Sequence, residues 1–475
     1  MNDYLSHYID GAWRPAAGQG RSTVDDSATG QPVALVAHAG SGEVNQAVAA
    51  ARAAFGAWSG STPARRAGYL RAIAAALEAR GEALAQAISR EVGMPLKLAR
   101  RIQVEAPVAA WRQSAAIGEE LAFAQQVGHS LVTQEAVGVV AAITPWNYPL
   151  HQITAKLAAA LMAGCTVVLK PSELAPAAAR ALGEAVHEAL LPPGVVNIVF
   201  GDGASGADLV GHPGVHMVSF TGSTAVGRRI AAVAGGQLKR VALELGGKSA
   251  SIALPGADAQ RVVRHALSSC FLNSGQTCSA ITRLIVPYED YDHYRELLAA
   301  AVPGFVVGDP GQPATRLGPL VSAGQRERVL AMIRVAEEDG LDLIAGGSAA
   351  TPAGPGHFVA PTVFGQVAPD APLAREEVFG PVLAVLTHGG EDDALAQANG
   401  AGYGLAAAVW AADDDAGLRL ARRLRAGQVD INGAPFNPRA PFGGFGLSGM
   451  GREGGRYGIE EFLEPRAIQM PQAAA

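Results

Sequence analysis

A single cysteine stands at the end of a short run of small and polar residues. Cys278 follows the run 273–277 (Asn-Ser-Gly-Gln-Thr), and Glu244 lies upstream in the run 243–248 (Leu-Glu-Leu-Gly-Gly-Lys). A thiolate is a strong nucleophile, and a carboxylate can take a proton from a thiol or from water. Glycine lets the backbone approach a ligand closely, which leaves amide hydrogens free to bind a developing oxyanion. These residues indicate covalent chemistry on a carbonyl group.

Two further motifs follow runs that read as buried strands. The run 170–173 places the cation of Lys170 and the carboxylate of Glu173 where they could meet a ribose diol or a phosphate. The run 220–227 turns from strand into helix, and a helix N-terminus built of small residues suits a pyrophosphate. Each motif alone could equally be a surface ion pair or a helix cap. Their successive placement favours a dinucleotide, although the G-x-G-x-x-G fingerprint is absent.

Asn147 lies between two prolines, in the run 145–149 (Pro-Trp-Asn-Tyr-Pro). A rigid structural turn is the ordinary interpretation of such a sequence. The side-chain amide could equally serve as a donor to an oxyanion. The run alone leaves both interpretations open.

The middle of the chain alternates short β-branched runs with alanine-rich stretches of helical length. The pattern predicts strands at 137–143, 166–169, 195–199, 217–220 and 241–243, and helices at 152–163, 176–190, 204–212 and 224–234. Buried strands separated by helices are typical of a parallel, doubly wound sheet, whose ligands lie at the carboxyl ends of the strands. The motifs above fall at those ends.

Elements on either side of this region are also predicted. After Lys248 a second alternation begins, with strands at 251–254, 282–286 and 429–432 and a helix at 258–272. It indicates a second α/β domain, with Glu244 and Cys278 near the junction, where ligand sites are common. Before the first sheet, 7–13 is predicted to be extended and the remainder to about 118 mostly helical, with Thr62-Pro63 starting one helix. The tail is glycine-rich after 441 and extended at 462–470.

Composition limits the classes of partner. The chain has 475 residues, enough for two or more domains, and its net charge of −6 weighs against a nucleic-acid binder. Its cysteines number three and are irregularly spaced, which argues against a disulfide framework and against a metal site such as zinc. No secretory signal is visible, and the longest apolar stretch, 157–169, is short of the ~20 residues that a membrane span needs. We expect a cytoplasmic protein that acts on small molecules, with no membrane and no nucleic acid as partner.

Taken together, the motifs resemble those of the aldehyde dehydrogenase superfamily, in the same order and over almost the whole chain. They are the runs 145–149, 170–173, 220–223, 243–248, 275–278, 376–381 and 441–444. The resemblance implies an α/β fold with a Rossmann-type parallel-sheet domain for NAD(P) at 1–117 and 138–246. It also implies a second α/β catalytic domain at 247–447 and a small β oligomerisation flap from 118–137 and 448–475.

The resemblance assigns roles to the residues already singled out. Cys278 matches the cysteine that attacks the aldehyde, and Asn147 matches the donor to the thiohemiacetal oxyanion. Glu244 matches the general base that hydrolyses the later thioester. Relatives that pass the acyl group to coenzyme A generally lack this glutamate, so its presence favours release of the free acid. Cys165 and Cys270 lie in apolar runs and read as buried structural residues.

The resemblance implies a nicotinamide dinucleotide as cofactor. The matching residues are Ile143, Thr144, Pro145, Trp146, Lys170, Ser172, Glu173, Gly203, Phe220, Thr221, Gly222, Ser223, Leu245, Gly246, Glu377 and Phe379. Glu377 and Phe379 match residues that hold the nicotinamide ribose and ring, and Lys170 and Glu173 match contacts of the adenosine ribose. Because Glu173 should repel a 2′-phosphate, we expect NAD, with NADP possible if this side chain swings away.

The sequence predicts the class of aldehyde less precisely than it predicts the reaction. The family's substrate tunnel corresponds here to Tyr148, His151, Gln152, Ala155, Thr277, Ser279, Phe436 and Phe442. Many relatives carry an aromatic residue where Ala155 stands, so we expect a wider tunnel and a medium-chain or aromatic aldehyde. A semialdehyde with a polar or charged tail, met by His151 or Gln152, is the alternative.

Two other classes of protein could carry parts of this sequence. A non-catalytic protein on this fold would be expected to lack Cys278 or Glu244, and a plain thiol esterase would use both without nucleotide.

Segments near 121–133 and 462–470 resemble strands that bridge subunits in the family, so we expect a homodimer or homotetramer. Arg240, Arg452 and Glu464 match positions that pair across subunits, and ordinary surface charges are an equal alternative.

Overall fold

The computed structural model describes residues 3–471, so the predicted segments at 1–2 and 472–475 lie outside the described residues. The first sheet has eight strands, of which the five in the middle are parallel. Their spatial order is Ala12–Pro15, Ser6–Ile9, Val196–Ile198, Thr166–Lys170, Val139–Ile143, Met217–Thr221, Arg240–Glu244 and Gly449–Met450. The outer strands run antiparallel to their neighbours.

The central strands are apolar because helices cover both of their faces. Every residue of Val139–Ile143 and Thr166–Lys170 is buried, and their side chains divide between two hydrophobic clusters. Continuous β-branched runs of this kind are expected in a parallel sheet that is covered on both sides. The nine α-helices of this part, among the described residues, are Ser41–Ser59, Pro63–Ala79, Gly81–Val92, Leu96–Leu98, Ala106–Glu120, Pro149–Ala163, Ala177–Glu188, Gly203–Gly211 and Thr224–Gly236. A π-helical segment, Ala99–Glu105, joins two of them.

A second sheet has seven strands. Their order is Asp342–Ala345, Thr362–Gly365, Val382–His388, Ile281–Pro287, Ser249–Ala253, Ala406–Trp410 and Gln428–Ile431. All neighbours pair in parallel except the first two strands. The associated α-helices are Ala259–Cys270, Tyr291–Ala301, Ala323–Glu338, Pro372–Arg375, Glu391–Asn399 and Asp414–Ala421. The short helix Gly455–Glu460 packs instead against Ala106–Glu120 and Pro149–Ala163. Single turns of 3-10 helix occur at Leu272–Gly275, Tyr288–Asp290 and Val302–Gly304.

Three strands form a small antiparallel sheet in the order Leu463–Gln469, Ser130–Ala136 and Ala124–Val127. Most residues of the first strand and all of the last are exposed. An outer strand with an unpaired edge is a surface on which another strand can add. Two strand pairs complete the described structure: Arg21–Asp25 with Pro32–Ala37, and Tyr403–Gly404 with Phe445–Gly446.

The predicted fold class is confirmed, whereas two local predictions are wrong. Residues 21–37 were expected to be mostly helical, yet they form two strands, because Thr23, Val24 and the run 33–36 provide β-branched and alternately buried positions. The helix predicted at 258–272 ends at Cys270, because Asn273 and Ser274 adopt left-handed backbone angles.

No helix among residues 3–471 has the length and apolar character needed to cross a bilayer. The domain boundaries stay a prediction.

Candidate active site

The site lies where loops from the two large sheets face one another. The carboxyl ends of Val139–Ile143, Met217–Thr221 and Arg240–Glu244 are adjacent in the first sheet. In the second sheet, loops 245–248, 277–280 and 377–381 lead into three adjacent parallel strands. Between these edges is a cleft of about 480 Å³. Its walls include Pro145, Trp146, Asn147, Thr221, Gly222, Ser223, Leu245, Gly246, Cys278, Glu377 and Phe379.

Cys278 is partly exposed in this cleft, whereas Cys165 and Cys270 are fully buried. Burial, together with the negative charges of Glu377 and Glu244, raises the pKa of the Cys278 thiol to about 12. The resting group is therefore a thiol. Attack by sulfur requires a neighbouring group that accepts the proton.

Asn147 is buried, and its side chain is fixed by the cysteine loop. Its Nδ2 donates a 3.0 Å hydrogen bond to the carbonyl oxygen of Gln276. An amide nitrogen carries two hydrogens, so one N–H remains for a ligand in the cleft. The backbone is held as well, because the Asn147 carbonyl accepts hydrogen bonds from Gln103 Nε2 at 2.9 Å and from Asn273 Nδ2 at 3.0 Å.

Glu244 ends the strand Arg240–Glu244 and is almost fully buried. Burial and the charge of Glu453 raise the pKa of its carboxyl group well above the usual value, and the cations of Lys156 and Arg452 act in the opposite direction. Among the described residues, Oε2 has no hydrogen-bond partner. A desolvated carboxyl group with a raised pKa is suited to accept a proton near neutral pH.

A buried ion pair acts on Glu244, and sequence reasoning missed it. Lys156 Nζ lies 2.7 Å from Glu453 Oε1, and the Lys156 side chain is 1% exposed. These residues are separated by 297 positions, and neither belongs to a run with a recognisable spacing. The available signal was the lone lysine of the helix Pro149–Ala163, Lys156, which directly precedes the apolar run 157–163.

Glu377 approaches the backbone at the Gly-Gly turn of the run 243–248. Its Oε1 accepts a 3.0 Å hydrogen bond from the Gly247 amide. A Cβ atom at Gly246 would overlap Glu377 Oε2, so only glycine allows this close approach. Burial raises the pKa of Glu377 to about 7, although the Gly247 hydrogen bond and the charge of Lys248 oppose the shift.

An aromatic pair closes the cleft beside Glu377. The rings of Trp146 and Phe379 meet edge to face, with centroids 5.5 Å apart. Phe379 has a positive φ of 58°, an uncommon angle for an aromatic residue that turns this loop toward the cleft. Its backbone is held by Gln325, whose Nε2 donates to the Phe379 carbonyl at 2.9 Å.

Other predicted cofactor residues lie at the strand ends but do not line this cleft. Lys170 Nζ and Glu173 Oε2 form an ion pair at 3.1 Å. The Thr144 amide donates to the Lys170 carbonyl at 3.2 Å. The remaining residues lie near them: Ile143 ends its strand, Ser172 accepts from the Leu174 amide, Gly203 begins Gly203–Gly211, and Phe220 is buried in its strand.

The predicted substrate residues fall into two groups. The Tyr148 hydroxyl lies 2.7 Å from Thr277 Oγ1, and its ring meets His151 edge-on. Gln152 is buried, and its Oε1 has no partner among the described residues. Ala155 and Ser279 are half-buried. The second group is the pair Phe436 and Phe442, with ring centroids 6.4 Å apart, in which Phe436 is 54% exposed.

One wall of the cleft was not predicted. It is formed by Gln325, Arg328 and Met332 of the helix Ala323–Glu338 and by Val378. The first three recur at helical spacing, which from sequence reads as an ordinary surface face. Arg328 Nη2 donates to Gln325 Oε1 at 2.8 Å, so a cation lies beside the Phe379 loop.

The chain was compared with protein families and with known proteins. The model of the aldehyde dehydrogenase family matches residues 13–468. A 3-succinoylsemialdehyde-pyridine dehydrogenase from Pseudomonas sp is 43% identical over 472 residues, covering 98% of this chain and 99% of the relative. Geranial dehydrogenase from Castellaniella defragrans is 40% identical over 475 residues, with 98% and 99% covered.

Solved structures agree with these relatives. Aldehyde dehydrogenase C from Pseudomonas syringae, a cysteine-to-alanine mutant in complex with NAD⁺ and octanal, superposes with a TM-score of 0.97 at 42% identity, covering 99% of this chain and 98% of that one. Mycobacterium tuberculosis aldehyde dehydrogenase, complexed with NAD⁺, gives a TM-score of 0.96 at 37% identity over 100% and 99% of the two chains. The chain therefore belongs to the aldehyde dehydrogenase family and is an oxidoreductase that acts on aldehydes.

Proposed function

We propose that the chain oxidises an aldehyde to the carboxylic acid with NAD, using Cys278 as nucleophile, Asn147 as oxyanion donor and Glu244 as general base. The observation that supports this most directly is the shared cleft of Cys278 and Asn147, in which the Asn147 amide is fixed at 3.0 Å from the Gln276 carbonyl. A donor held in one orientation stabilises a developing charge without reorganisation.

Acylation begins as Cys278 sulfur bonds to the aldehyde carbon. The thiol proton passes to a neighbouring carboxylate, and Glu244 and Glu377 both have raised pKa values that suit this acceptance. The carbonyl oxygen becomes an oxyanion, which the free N–H of Asn147 and the Cys278 amide would hold. A nicotinamide held by Glu377 and Phe379 would supply the acceptor for the hydride that leaves the tetrahedral carbon, and Cys278 would then carry a thioester.

Deacylation returns Cys278 to its starting state. The proton taken up during acylation first leaves to solvent. Glu244 then accepts a proton from water as the water oxygen attacks the thioester carbon. The Cys278 sulfur leaves and takes up a proton, so the free acid is released and the thiol is restored. The charge of Lys156 lowers the pKa of Glu244, because a nearby cation favours a carboxylate, whereas the charge of Glu453 raises it. The buried pair of Lys156 and Glu453 is therefore proposed to tune the base.

The chain has a cradle that fits a nicotinamide dinucleotide. The absence of a side chain at Gly246 allows the Glu377 carboxylate to lie close to the backbone at the edge of the cleft. The hydroxyls of Thr144 and Thr221 are buried without a partner among the described residues. Buried hydroxyls of this kind normally have a hydrogen-bond partner, which a bound ligand can supply. Glu377 and Phe379 would hold the nicotinamide ribose and ring, and Lys170 and Glu173 would hold the adenosine ribose.

NAD is the preferred cofactor in this proposal. The Glu173 carboxylate, 3.1 Å from Lys170 Nζ, would accept hydrogen bonds from a ribose diol and repel a 2′-phosphate. Complexes with NAD⁺ among the similar structures support the choice. NADP is the second candidate, through displacement of the half-buried Glu173 side chain. The ratio of kcat/KM for NAD and NADP, in wild type and in Glu173→Gln, tests the assignment.

The substrate is proposed to be a medium-chain or aromatic aldehyde. Ala155 is small, and Tyr148, Phe436 and Phe442 offer apolar ring surface. The octanal complex of the Pseudomonas syringae enzyme supports a medium chain. The similarity to 3-succinoylsemialdehyde-pyridine dehydrogenase favours the second candidate, a semialdehyde with a polar tail, which would meet His151 and Gln152.

Assembly into a homodimer or homotetramer is proposed from the exposed edge of Leu463–Gln469. Arg240 Nη1 lies 3.2 Å from Glu464 Oε1 of the same chain, at the base of this strand. The Arg452 guanidinium donates to the Gly444 and Gly451 carbonyls. Light scattering coupled to size exclusion gives the mass, and Ile468→Arg on the exposed strand should shift it toward that of a monomer.

Activity measurements with a panel of aldehydes test the proposed reaction. Octanal, benzaldehyde, succinic semialdehyde and acetaldehyde are compared by NADH absorbance with NAD and NADP. We expect the highest kcat/KM with octanal or benzaldehyde and no NADH from Cys278→Ala. A preference for acetaldehyde would contradict the substrate proposal, and full activity of Cys278→Ala would contradict the mechanism.

A further inference from the structure

The loop that precedes Cys278 has an unusual backbone. Asn273, Ser274 and Gly275 have φ values of 52°, 56° and 77°, so three successive residues lie in the left-handed region. Residues other than glycine adopt that region at an energetic cost. Gly275 has no alternative, because a Cβ there would overlap the Gly380 carbonyl. Such a loop persists only if its surroundings hold it.

The Gln276 side chain supplies much of that restraint. It is fully buried, although an amide is expensive to bury without partners. Nε2 donates to the Asn273 carbonyl at 3.1 Å and to the Val92 carbonyl at 3.5 Å, and Oε1 accepts from the Val321 amide at 2.9 Å. The amide therefore ties the left-handed turn to a helix end beside the first sheet and to a segment beside the second.

The backbone of Gln276 connects this restraint to the chemistry. Its carbonyl accepts the hydrogen bond from Asn147 Nδ2, and Cys278 follows two residues later. The carbonyl thus determines which way the Asn147 amide faces, since an amide turned over would place its oxygen against another oxygen. A shift of the Gln276 carbonyl would therefore change the orientation of the oxyanion donor.

We propose that Gln276 is a positioning residue: its side-chain amide locks the left-handed loop so that the Gln276 carbonyl orients the Asn147 amide. The proposal rests on the proposed roles of Cys278 and Asn147. It differs from a purely structural role in one respect. Loss of the Gln276 amide should slow the acylation step specifically, through Asn147, and should leave cofactor binding unchanged.

The experiment is a double-mutant cycle on full-length enzyme, measured by the pre-steady-state rate of NADH formation. Gln276→Met keeps the side-chain length and removes the hydrogen bonds. We expect it to slow the burst about 10- to 100-fold, because small misplacements of reacting groups have effects of this size. In an Asn147→Ala background the same change should slow the burst less than about 3-fold, because the oriented group is already absent. The KM for NAD should change less than about 3-fold.

Asn197→Leu is the matched control for loss of a buried amide. Asn197 is also fully buried, and its amide bonds only to backbone, accepting from Asp10 at 3.0 Å and donating to Gly194 at 2.8 Å. It should lower thermal stability and leave the burst rate per folded subunit unchanged. If Gln276→Met does not fold, Gln276→Glu takes its place, since it keeps the acceptor for the Val321 amide and loses the donor to Asn273.

Two results would overturn the proposal. One is an effect of Gln276→Met that is equally large with and without Asn147. The other is a smaller burst amplitude at an unchanged burst rate, which is what partial unfolding produces. Cys278→Ala separates these from a failure of the proposed function, because NADH formation by that variant would contradict the mechanism whatever Gln276 does.

Discussion

Lys156 Nζ and Glu453 Oε1 form a buried ion pair at 2.7 Å that joins the helix Pro149–Ala163 to the C-terminal part of the chain. Both charges act on Glu244, in opposite directions. Removal of one partner should therefore raise or lower the pKa of Glu244, depending on which partner is lost.

Lys156→Met and Glu453→Gln should shift the pH profile of kcat in opposite directions. Without the Lys156 cation the pKa of Glu244 rises, so the acidic limb of the profile shifts to higher pH. Without the Glu453 charge the pKa of Glu244 falls, and the limb shifts to lower pH. Each change also leaves a buried charge unpaired, which costs about 3–5 kcal/mol of stability. Profiles are recorded below the melting temperature of each variant, and shifts in the same direction would refute the assignment.

Glu244→Gln should acylate once, because Glu377 can still accept the thiol proton, and should then stop. Loss of a general base typically lowers the rate by 10²–10⁴-fold, and here we expect the loss in deacylation. Stopped-flow absorbance should show a burst of about one NADH per active site, followed by a steady rate at least about 100-fold below wild type. Steady turnover at the wild-type rate would show that another group activates the water.

Gly246→Ala should weaken cofactor binding. The added methyl group overlaps the Glu377 carboxylate, which must move from the position where it bonds to Gly247. We expect the KM for NAD to rise about 10-fold, which corresponds to about 1.4 kcal/mol. Gly235→Ala is the control, because a Cβ at this helical glycine meets open space. Equal KM values for the two variants would contradict the placement of the cofactor.

Glu91→Gln should stabilise the protein at high pH. Burial raises the pKa of Glu91 to about 8, despite hydrogen bonds from the Ala177 amide and Tyr4. A carboxyl group with a raised folded pKa contributes stability below its unfolded pKa of about 4.5, and the contribution is lost as pH rises through about 8. The melting temperature of Glu91→Gln should exceed that of wild type by a few degrees at pH 9 and not at pH 5. The opposite dependence on pH would show that Glu91 is bound as a carboxylate.

Much of the fold could be predicted because the parallel strands are continuous apolar runs in the sequence, and turn-forming residues follow them. The apolar run at Val139–Ile143, followed by the prolines on either side of Asn147, indicates both a strand and a turn at its carboxyl end. The strands Arg21–Asp25 and Pro32–Ala37 were missed because they pair mainly with each other, are partly exposed and lie outside the alternating pattern.

The site could be predicted where it rests on short runs, and not where it depends on tertiary contacts. Cys278, Glu377 and Asn147 stand in recognisable runs, and all three line the cleft. Arg328 and Glu453 carry no local signal, and Lys156 carries only a weak one, because a cation on a helix is ordinarily a solvated residue. Their environment comes from elements far apart in the chain.

The central claim, a covalent intermediate on Cys278, is tested most directly by mass spectrometry of Glu244→Gln quenched in acid after mixing with NAD and octanal. We predict an adduct on the peptide that contains Cys278, with the mass of octanal less one molecule of hydrogen, as a thioester requires. The adduct should be absent without NAD and absent from Cys278→Ala. Formation of NADH with no adduct on Cys278, or with an adduct at Cys165 or Cys270 instead, would contradict the mechanism.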